Sequence, residues 1–141
     1  MVSRDRKLFL VTDGASRGNP GPSAVGFGIY DEKWGPLKEY AAQIGVATNN
    51  EAEYKALIKG LQECMKYSKG CIEHFTDSKL VARQAGGEWA VRAPNLMPLV
   101  EEVYREKRRF KKVTHRYVPR YDPRIHRIDK MINEKMDNFP L

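Results

Sequence analysis

The spacing of apolar residues along the chain changes from a strand pattern to a helix pattern at about residue 48. Before that point, short apolar runs are broken by clusters of Gly, Pro and Asn, which favour turns. The runs predict strands at Lys7–Thr12, Ala24–Tyr30 and Leu37–Val46. Three strands separated by two turns are typical of an antiparallel meander.

After residue 48, apolar residues recur every three or four positions, which predicts helices. Thr48 followed by Glu51 is a capping box, so the first helix is expected to begin there and to run to about Tyr67. The remaining predicted elements are a strand at Cys71–Thr76, a short helix capped by Asp77 or Ser78 that ends near Gln84, a helix at Pro94–Phe110, a strand at Val113–Val118 and a helix at Ile125–Met136. Strands that alternate with helices after a meander indicate an α/β fold with a mixed sheet.

Length and composition are those of one globular domain, predicted over residues 1–141, with 41% hydrophobic and 30% charged residues. No apolar stretch is long enough to cross a membrane, so no membrane association is expected. The apolar run Leu8–Val11 is too short for a signal peptide, and we therefore expect a cytoplasmic protein. Cys64 and Cys71 are expected to be free thiols, with a single bridge as the alternative.

The chain is basic, with a net charge of +7, and much of this charge lies in the segment Arg105–Arg127. Basic surfaces attract phosphate backbones because binding releases condensed counterions. A solvated helix face and loop explain such a segment equally well. Charge alone therefore does not identify a partner.

Glu53 is the acidic residue whose position is hardest to explain structurally. It precedes Ala56, Leu57 and Gly60 by three, four and seven residues, so it lies on the apolar stripe of the first helix. An ionised carboxylate in such a place is costly unless it is paired or bound to a cation. Glu51, in contrast, stands where a capping-box glutamate belongs.

Three further carboxylates have ordinary structural alternatives. Asp129 also lies on an inward helix face, where a salt bridge to a nearby arginine is the alternative. Asp13 follows the first strand, where an Asp-Gly turn is common, and Asp77 follows the fourth strand, where a helix N-cap is common. None of the three indicates a site alone.

The predicted topology brings these carboxylates together. If the first and fourth strands are parallel neighbours, Asp13 and Asp77 end side by side at the sheet edge where α/β proteins form their sites. Clustered carboxylates require hard cations, so we expect two Mg²⁺ ions, with Mn²⁺ as a substitute. Such a pair of ions can activate water and stabilise the leaving oxygen of a phosphodiester. An acidic metal site in a basic protein suits a nucleic-acid substrate.

Four motifs stand at the predicted strand ends and turns: Thr12-Asp13-Gly14, Gly18-Asn19-Pro20-Gly21, Thr48-Asn49-Asn50-Glu51-Ala52-Glu53 and Thr76-Asp77-Ser78. In this order, the chain from about Leu8 to Asp137 resembles type 1 ribonuclease H. The resemblance implies a five-stranded mixed sheet, with a three-strand antiparallel meander and two parallel strands, flanked by helices. It also implies two-metal hydrolysis of the RNA strand of RNA–DNA hybrids, leaving 5′-phosphate and 3′-hydroxyl ends.

The same resemblance implies roles for individual residues. The catalytic and metal-binding carboxylates would be Asp13, Glu53, Asp77 and Asp129, with Asp122 as the rival of Asp129. The expected hybrid contacts are Gly14, Asn19, Thr48, Asn49, Asn50 and Ser78. Amide side chains can read the 2′-hydroxyl that separates RNA from DNA, and a helix N-terminus near Thr48 suits a phosphate.

The chain departs from the best-known family pattern in two regions. It lacks the basic protrusion after the second helix, so Trp89, Arg92 and the segment Arg105–Lys112 are candidates to grip the hybrid, with a core or hinge role as the alternative for Trp89. The loop before the last carboxylate lacks the usual histidine between glycines. Auxiliary roles there are predicted for Arg120, Arg124 or His126, and a plain helix-start role is the alternative for His126.

We expect a monomer that acts on RNA–DNA hybrids, with duplex RNA as an alternative substrate. A binding module without catalytic activity is the competing function. The intact set of carboxylates argues against it, because a domain without catalytic activity would not need the costly carboxylate of Glu53 on an apolar stripe.

Overall fold

The structure is a computed structural model that describes residues 5–138. Within this range the elements are β1 Leu8–Ser16, β2 Gly21–Tyr30, β3 Pro36–Ala47, α1 Asn49–Cys64, β4 Cys71–Thr76, α2 Lys79–Ala85, α3 Met97–Lys107, β5 Lys112–Tyr117 and α4 Pro123–Asp137. The domain predicted over residues 1–141 includes residues 1–4 and 139–141, which lie outside the described part.

The strands form one sheet in the order β3-β2-β1-β4-β5. The pairs β1–β2 and β2–β3 are antiparallel, and the pairs β1–β4 and β4–β5 are parallel. This arrangement confirms the predicted five-stranded mixed sheet, with its meander and its two parallel strands. It also confirms that β1 and β4 are parallel neighbours, on which the predicted position of the site depends.

Alternation along the strands gives the sheet two apolar faces. Leu8 and Leu10 pack with residues of α1, α2 and α3, whereas Val11 packs with residues of α4. The predicted inward faces of the later helices are buried as expected: Leu96, Val100 and Val103 near and in α3, and Ile125, Ile128, Ile132 and Met136 in α4. Three helices therefore cover one face of the sheet, and α4 covers the other.

The first strand is longer than the sequence predicts. Its parallel pairing with β4 stops at Val11, but its antiparallel pairing with β2 continues from Asp13 to Ser16. The predicted strand end at Thr12 is therefore wrong, and Asp13 does not belong to an Asp-Gly turn. Because β1 extends beyond the end of its pairing with β4, the edge of β1 is open there, and Asp13 lies at that edge.

Two helices are shorter than predicted. The first helix ends at Cys64 rather than near Tyr67, and α3 covers Met97–Lys107 rather than Pro94–Phe110. Phe110 is buried against the core outside α3, in the turn that leads into β5. Phe110 is apolar because it is buried, and its position continues the helical spacing of α3. The predicted helix was therefore too long at this end.

No helix within residues 5–138 is long and apolar enough to cross a membrane. Cys64 and Cys71 are both free, which confirms the expectation of free thiols.

Candidate active site

Gly14 allows helix α1 to lie directly against strand β1. A Cβ atom at this position would overlap the backbone of Ala52 and the backbone nitrogen of Glu53, so no larger residue fits without moving the helix. The close approach also lets the Gly14 N–H donate a hydrogen bond to Oε1 of Glu53. The glycine of the Asp-Gly pair thus positions the first helical carboxylate beside the first strand.

The start of α1 is fixed by the predicted capping box. The Thr48 hydroxyl accepts from the Glu51 N–H at 3.1 Å, and Oε1 of Glu51 accepts from the Thr48 N–H at 2.8 Å. This capping geometry confirms the structural role of Glu51. Two residues further on, Glu53 faces the sheet and is only 8% exposed.

Three carboxylates meet at the open edge beside β1. One oxygen from each of Asp13, Glu53 and Asp77 lies within 4.8 Å of the others. Asp13 and Glu53 are buried, and Asp77 is half-buried. We call these three residues the carboxylate cluster.

Burial and mutual repulsion make these carboxylates hard to ionise. Burial, followed by the charges of Asp77 and Asp129, raises the pKa of Asp13 to about 8. Burial and the charges of Asp13 and Asp77 hold the pKa of Glu53 well above its usual range. Burial also raises the pKa of Asp77, against the opposing charge of Arg120. A hard divalent cation would offset these charges, and oxygen donors are what such a cation prefers.

Asp77 is available to the cluster because its neighbour caps the next helix. The Ser78 hydroxyl accepts from the Val81 N–H at 3.2 Å and is the N-cap of α2. The sequence left the cap open between Asp77 and Ser78, and the structure assigns it to Ser78. The structural alternative for Asp77 is therefore excluded.

The carboxylate cluster forms the floor of an open cleft of about 270 Å³. The cleft is also lined by predicted site residues from other elements, namely Gly14, Asn49, Asn50, Ser78, Arg120 and Asp129. The strand end of β4, the N-termini of α1 and α2 and the inner face of α4 converge here. Backbone N–H groups at helix N-termini favour negatively charged ligands.

Asp129 borders the cleft outside the tight cluster. It is half-buried, and its Oδ2 accepts from Nδ2 of Asn133 at 3.2 Å. Within residues 5–138 it forms no salt bridge to an arginine, so the structural alternative for it does not apply. Its charge nevertheless acts on Asp13, one of the three cluster carboxylates.

Asp122, the rival of Asp129, is engaged elsewhere. It is the N-cap of α4, where Oδ1 accepts from the Arg124 N–H at 2.9 Å. Its Oδ2 also forms a salt bridge of 2.7 Å with the Arg124 guanidinium. Between the two aspartates, the cleft is lined by Asp129 and not by Asp122.

The predicted hybrid contacts near the start of α1 form a connected group. Oδ1 of Asn19 accepts from the Asn49 N–H at 2.9 Å, and Oδ1 of Asn49 accepts from the Ser16 N–H at 2.7 Å. Asn19 reaches this position with a left-handed backbone, φ 34°. Asn49 and Asn50 are exposed, so the amide groups of both can meet a ligand in the cleft.

The three predicted auxiliary residues differ in position. Arg120 lines the cleft, whereas Arg124 lies over the rings of Trp34 and Phe75 at 5.1 and 4.5 Å and is paired with Asp122. His126 is exposed in the first turn of α4 and does not line the cleft. Only the first of the three is placed to contact a ligand there.

The candidates for gripping the hybrid also separate in space. Trp89 is 45% exposed, so it is not a core residue. Arg92 is exposed in the same connection between α2 and α3. The segment Arg105–Lys112 lies where α3 ends and β5 begins, and β5 runs parallel to β4 toward the cleft. This segment is therefore at the end of the sheet opposite the carboxylates.

A histidine pair beside Thr12, with His74 buried and His115 half-buried, was not predicted from the sequence. Nε2 of His74 lies 2.7 Å from Oγ1 of Thr12, and Nδ1 of His74 lies 2.8 Å from Nδ1 of His115. Alternation in β4 was the available signal, because position 74 shares a sheet face with the buried Ile72.

Fold and cleft together define an α/β domain with carboxylates gathered where parallel strands end. The family described as "Reverse transcriptase-like" matches residues 11–125 of the chain. A bifunctional protein of Mycobacterium tuberculosis, Rv2228c, is 36% identical over 132 residues, which are 93% of this chain and 36% of that protein. A ribonuclease HI of Halobacterium salinarum is 43% identical over 98 residues, which are 68% of this chain and 49% of that protein.

Solved structures extend the likeness over nearly the whole chain. RNase H1 of Halobacterium salinarum has a TM-score of 0.88 and 36% identity, with 94% of this chain and 99% of that chain covered. LC11-RNase H1, solved in complex with an RNA/DNA hybrid, has a TM-score of 0.86 and 35% identity, with 92% and 96% covered. The chain belongs to the ribonuclease H family and is similar to its type 1 members. It spans about a third to a half of the length of the two curated relatives above.

Proposed function

We propose that this protein is an endoribonuclease that hydrolyses the RNA strand of RNA–DNA hybrids, within one catalytic domain over residues 1–141. The carboxylate cluster in an open cleft is the observation that carries the proposal. Burial and repulsion raise the pKa values of these carboxylates, so their ionised forms are unfavourable unless cations bind them. The solved hybrid complex of a 35% identical relative supports the choice of substrate.

The donor set fits divalent cations. Asp13, Glu53 and Asp77 offer oxygen ligands within 4.8 Å of one another, and we assign Asp129 as a further ligand because it borders the same cleft. All-oxygen sites suit Mg²⁺, and Mn²⁺ is the expected substitute. When bound, two such ions supply activation of water and stabilisation of the leaving oxygen.

The protein's own residues position these donors. The Gly14 N–H holds the Glu53 carboxylate, and the lack of a side chain at Gly14 allows α1 to lie close enough to β1 for this hydrogen bond. Arg120 is the positive group beside Asp77, where it can also meet a phosphate of the substrate. We expect cleavage to leave 5′-phosphate and 3′-hydroxyl ends, as the family resemblance implies.

Recognition of the RNA strand is assigned to the polar rim of the cleft. The amides of Asn49 and Asn50 can donate to or accept from a 2′-hydroxyl, which only the RNA strand carries. Oδ1 of Asn19 accepts from the Asn49 N–H, and we assign Thr48, the N-cap of α1, as a phosphate contact at the start of that helix. Gly14 and Ser78 complete the proposed contact set. Duplex RNA is the alternative substrate, because shape readers of the minor groove are tolerant.

A monomeric, cytoplasmic enzyme completes the proposal. The two free thiols, Cys64 and Cys71, suit a reducing compartment.

The proposal is tested with hybrids in which the RNA and DNA strands carry different labels. Duplex RNA and duplex DNA of the same sequence are run beside them, each with Mg²⁺, Mn²⁺ or a chelator. We expect cuts only in the RNA strand of the hybrid and only with a divalent cation. Cleavage of the DNA strand, or no cleavage of any substrate with either metal, would overturn the proposal.

A further inference from the structure

A dense group of exposed cations lies at the end of the molecule opposite the cleft. It consists of Lys66, Lys69, Arg108, Arg109, Lys111 and Lys112, and we call it the far basic surface. Two turns carry it, one before β4 and one before β5. The Lys111 N–H donates to the carbonyl oxygens of Lys69 and Gly70 at 3.0 and 3.1 Å, so the two turns are held together.

Most of this charge is not compensated by the protein. Lys66 pairs with Glu63 at 3.2 Å, and Arg109 contacts Glu106 at 3.7 Å. The four remaining cations form no salt bridge within residues 5–138: Lys69, Arg108, Lys111 and Lys112. Uncompensated like charges held close together repel one another and create a positive potential outside the protein.

This surface does not reach the substrate segment that occupies the cleft. Lys112 pairs with Cys71 at the first position of β4, and Asp77 follows the last position of the same strand. Six steps along a strand cover about 20 Å, which is about the width of a nucleic-acid duplex. A phosphate backbone bound to the far basic surface therefore lies about 20 Å from the phosphate that is being cut.

The chemistry of the surface fits a phosphate backbone better than a protein. Protein interfaces are organised around apolar or aromatic residues, which are surrounded by a polar rim. Of the two aromatic residues in these turns, Phe110 is buried in the core and Tyr67 is half-buried against it, so neither is a fully exposed anchor. What remains exposed is charge on long side chains, which binds phosphates without reading sequence.

We propose that the far basic surface is a second nucleic-acid contact, which binds phosphate backbone independently of sequence while the cleft holds the hybrid. This inference goes beyond the proposed nuclease activity but rests on it for the presence of nucleic acid. The chain would then have two separate contacts with nucleic acid. The cleft recognises and cuts the hybrid, and the far basic surface only holds a phosphate backbone.

Three lysines provide a clean test, because Lys69, Lys111 and Lys112 are exposed and the hydrogen bonds of Lys111 involve only its backbone. The test variant carries Lys69→Gln, Lys111→Gln and Lys112→Gln. The control carries Lys33→Gln, Lys59→Gln and Lys135→Gln, which removes the same charge from exposed lysines elsewhere. Melting temperatures of both variants check that the fold is retained.

Binding of labelled duplex DNA is measured by fluorescence anisotropy in chelator over a series of salt concentrations. Each phosphate contact contributes about −0.9 to the slope of log K against log salt concentration, so the test variant should have a slope smaller in magnitude by about 2 to 3. At about 0.1 M salt its affinity should fall by at least about tenfold, whereas the control should bind nearly as the wild type does.

Cleavage of a short hybrid by the same proteins separates this inference from the proposed function. We expect the test variant to cut a short hybrid at the wild-type rate under single-turnover conditions, because the cleft is unchanged. If the wild type cuts the hybrid but both triple variants have the same salt slope, the far basic surface is only a solvated face and the inference is overturned. If the wild type does not cut, the proposed function fails, whatever the slopes are.

Discussion

Two groups of polar side chains lie beside β1 and β4, the carboxylate cluster and the histidine pair, and they differ in their chemistry and in their access to solvent. Along β1, Asp13 belongs to the carboxylate cluster, whereas the preceding Thr12 points to the other face and contacts His74. The carboxylate cluster opens into a cleft and holds only acids. The histidine pair consists of the buried His74 and the half-buried His115, whose rings hydrogen bond to each other.

Burial drives both groups toward their neutral forms, but from opposite directions. Burial lowers the pKa of His74 to about 3 and that of His115 to about 2, with a smaller contribution from the charge of Lys107. The same desolvation raises the pKa of Asp13 to about 8. A neutral imidazole can both donate and accept, so the two rings can hydrogen bond to each other without an ion. Ionised carboxylates only accept, so the cluster requires a proton or a cation.

The histidine pair is nevertheless not fully satisfied. Nε2 of His115 is buried without a hydrogen-bond partner within residues 5–138. Either tautomer leaves this atom unpaired, because Nδ1 of the same ring is used by His74. An unpaired buried polar group lowers stability by about 1–3 kcal/mol.

The largest expected effect follows removal of one cluster charge. Asp13→Asn should lower the rate of hybrid cleavage by at least about 1,000-fold, because several kcal/mol of charge stabilisation are lost and each 1.4 kcal/mol is about tenfold. Single-turnover cleavage with Mg²⁺ measures the effect, and circular dichroism checks the fold. Full activity in a folded variant would remove Asp13 from the metal site.

The second prediction concerns stability without metal. In chelator, Asp13 and Glu53 stay protonated in the folded state where the unfolded chain has lost these protons, so stability falls as the pH rises from about 4 to about 8. Glu53→Gln should raise the melting temperature near pH 8, by about 3 °C for each kcal/mol of relieved repulsion. It should also flatten the decline in stability at pH values above the usual pKa of a glutamate.

Glu51→Gln is the matched control for this prediction. Glu51 is in the same helical turn, but the Thr48 N–H holds its pKa below the usual range, so its titration does not contribute above pH 6 or so. Glutamine also serves at this capping position. A lower melting temperature for Glu53→Gln than for Glu51→Gln in chelator would indicate that Glu53 is structurally paired.

The third prediction uses the histidine pair as the opposite case. The pKa values of both rings lie below that of an unfolded histidine. On acidification below pH 6.5, each ring therefore lowers the free energy of unfolding by about 1.4 kcal/mol per pH unit. His115→Phe removes one of the two rings and should reduce this acid-side slope in denaturant titrations. Cleavage should stay within about threefold of the wild type, since the ring does not line the cleft. A large loss of activity in a stable variant would tie the pair to the site.

The smallest expected effect is at the start of α1. Thr48→Ala removes the hydroxyl that accepts from the Glu51 N–H and should lower stability by about 1 kcal/mol. Thr48→Ser keeps the cap and should restore most of it. Urea unfolding of both variants measures the difference, and equal stabilities of the alanine and serine variants would contradict the capping role.

The sequence predicted the carboxylates better than the histidines for a physical reason. Glu53 breaks an apolar helical stripe, and such a breach is visible from spacing alone. His74 also occupies a buried strand position, but a histidine counts as an ordinary polar residue in a short alternating run. Its partner His115 lies in β5, where most positions are exposed or half-buried and no apolar face is evident.

The position of the basic residues in space is a second feature that their order along the chain does not predict. Residues 105–127 look like one charged stretch, but β5 carries the chain from one end of the sheet to the other within it. Lys112 therefore belongs to the far basic surface, whereas Arg120 lines the cleft. The end of the sheet at which a residue lies depends on the direction and the partner of its strand. The spacing of apolar residues does not predict that partner.

Cation binding by the carboxylate cluster is tested by the melting temperature with and without Mg²⁺ near pH 8, for the wild type and Asp13→Asn. A ligand that binds only the folded state stabilises it by RT ln(1 + [L]/Kd), about 2.7 kcal/mol at 100 times Kd. If the carboxylate cluster holds the cation, Mg²⁺ should raise the wild-type melting temperature by several degrees and leave the variant nearly unchanged. Equal shifts in the two proteins would show that the cation binds elsewhere and not at the carboxylate cluster.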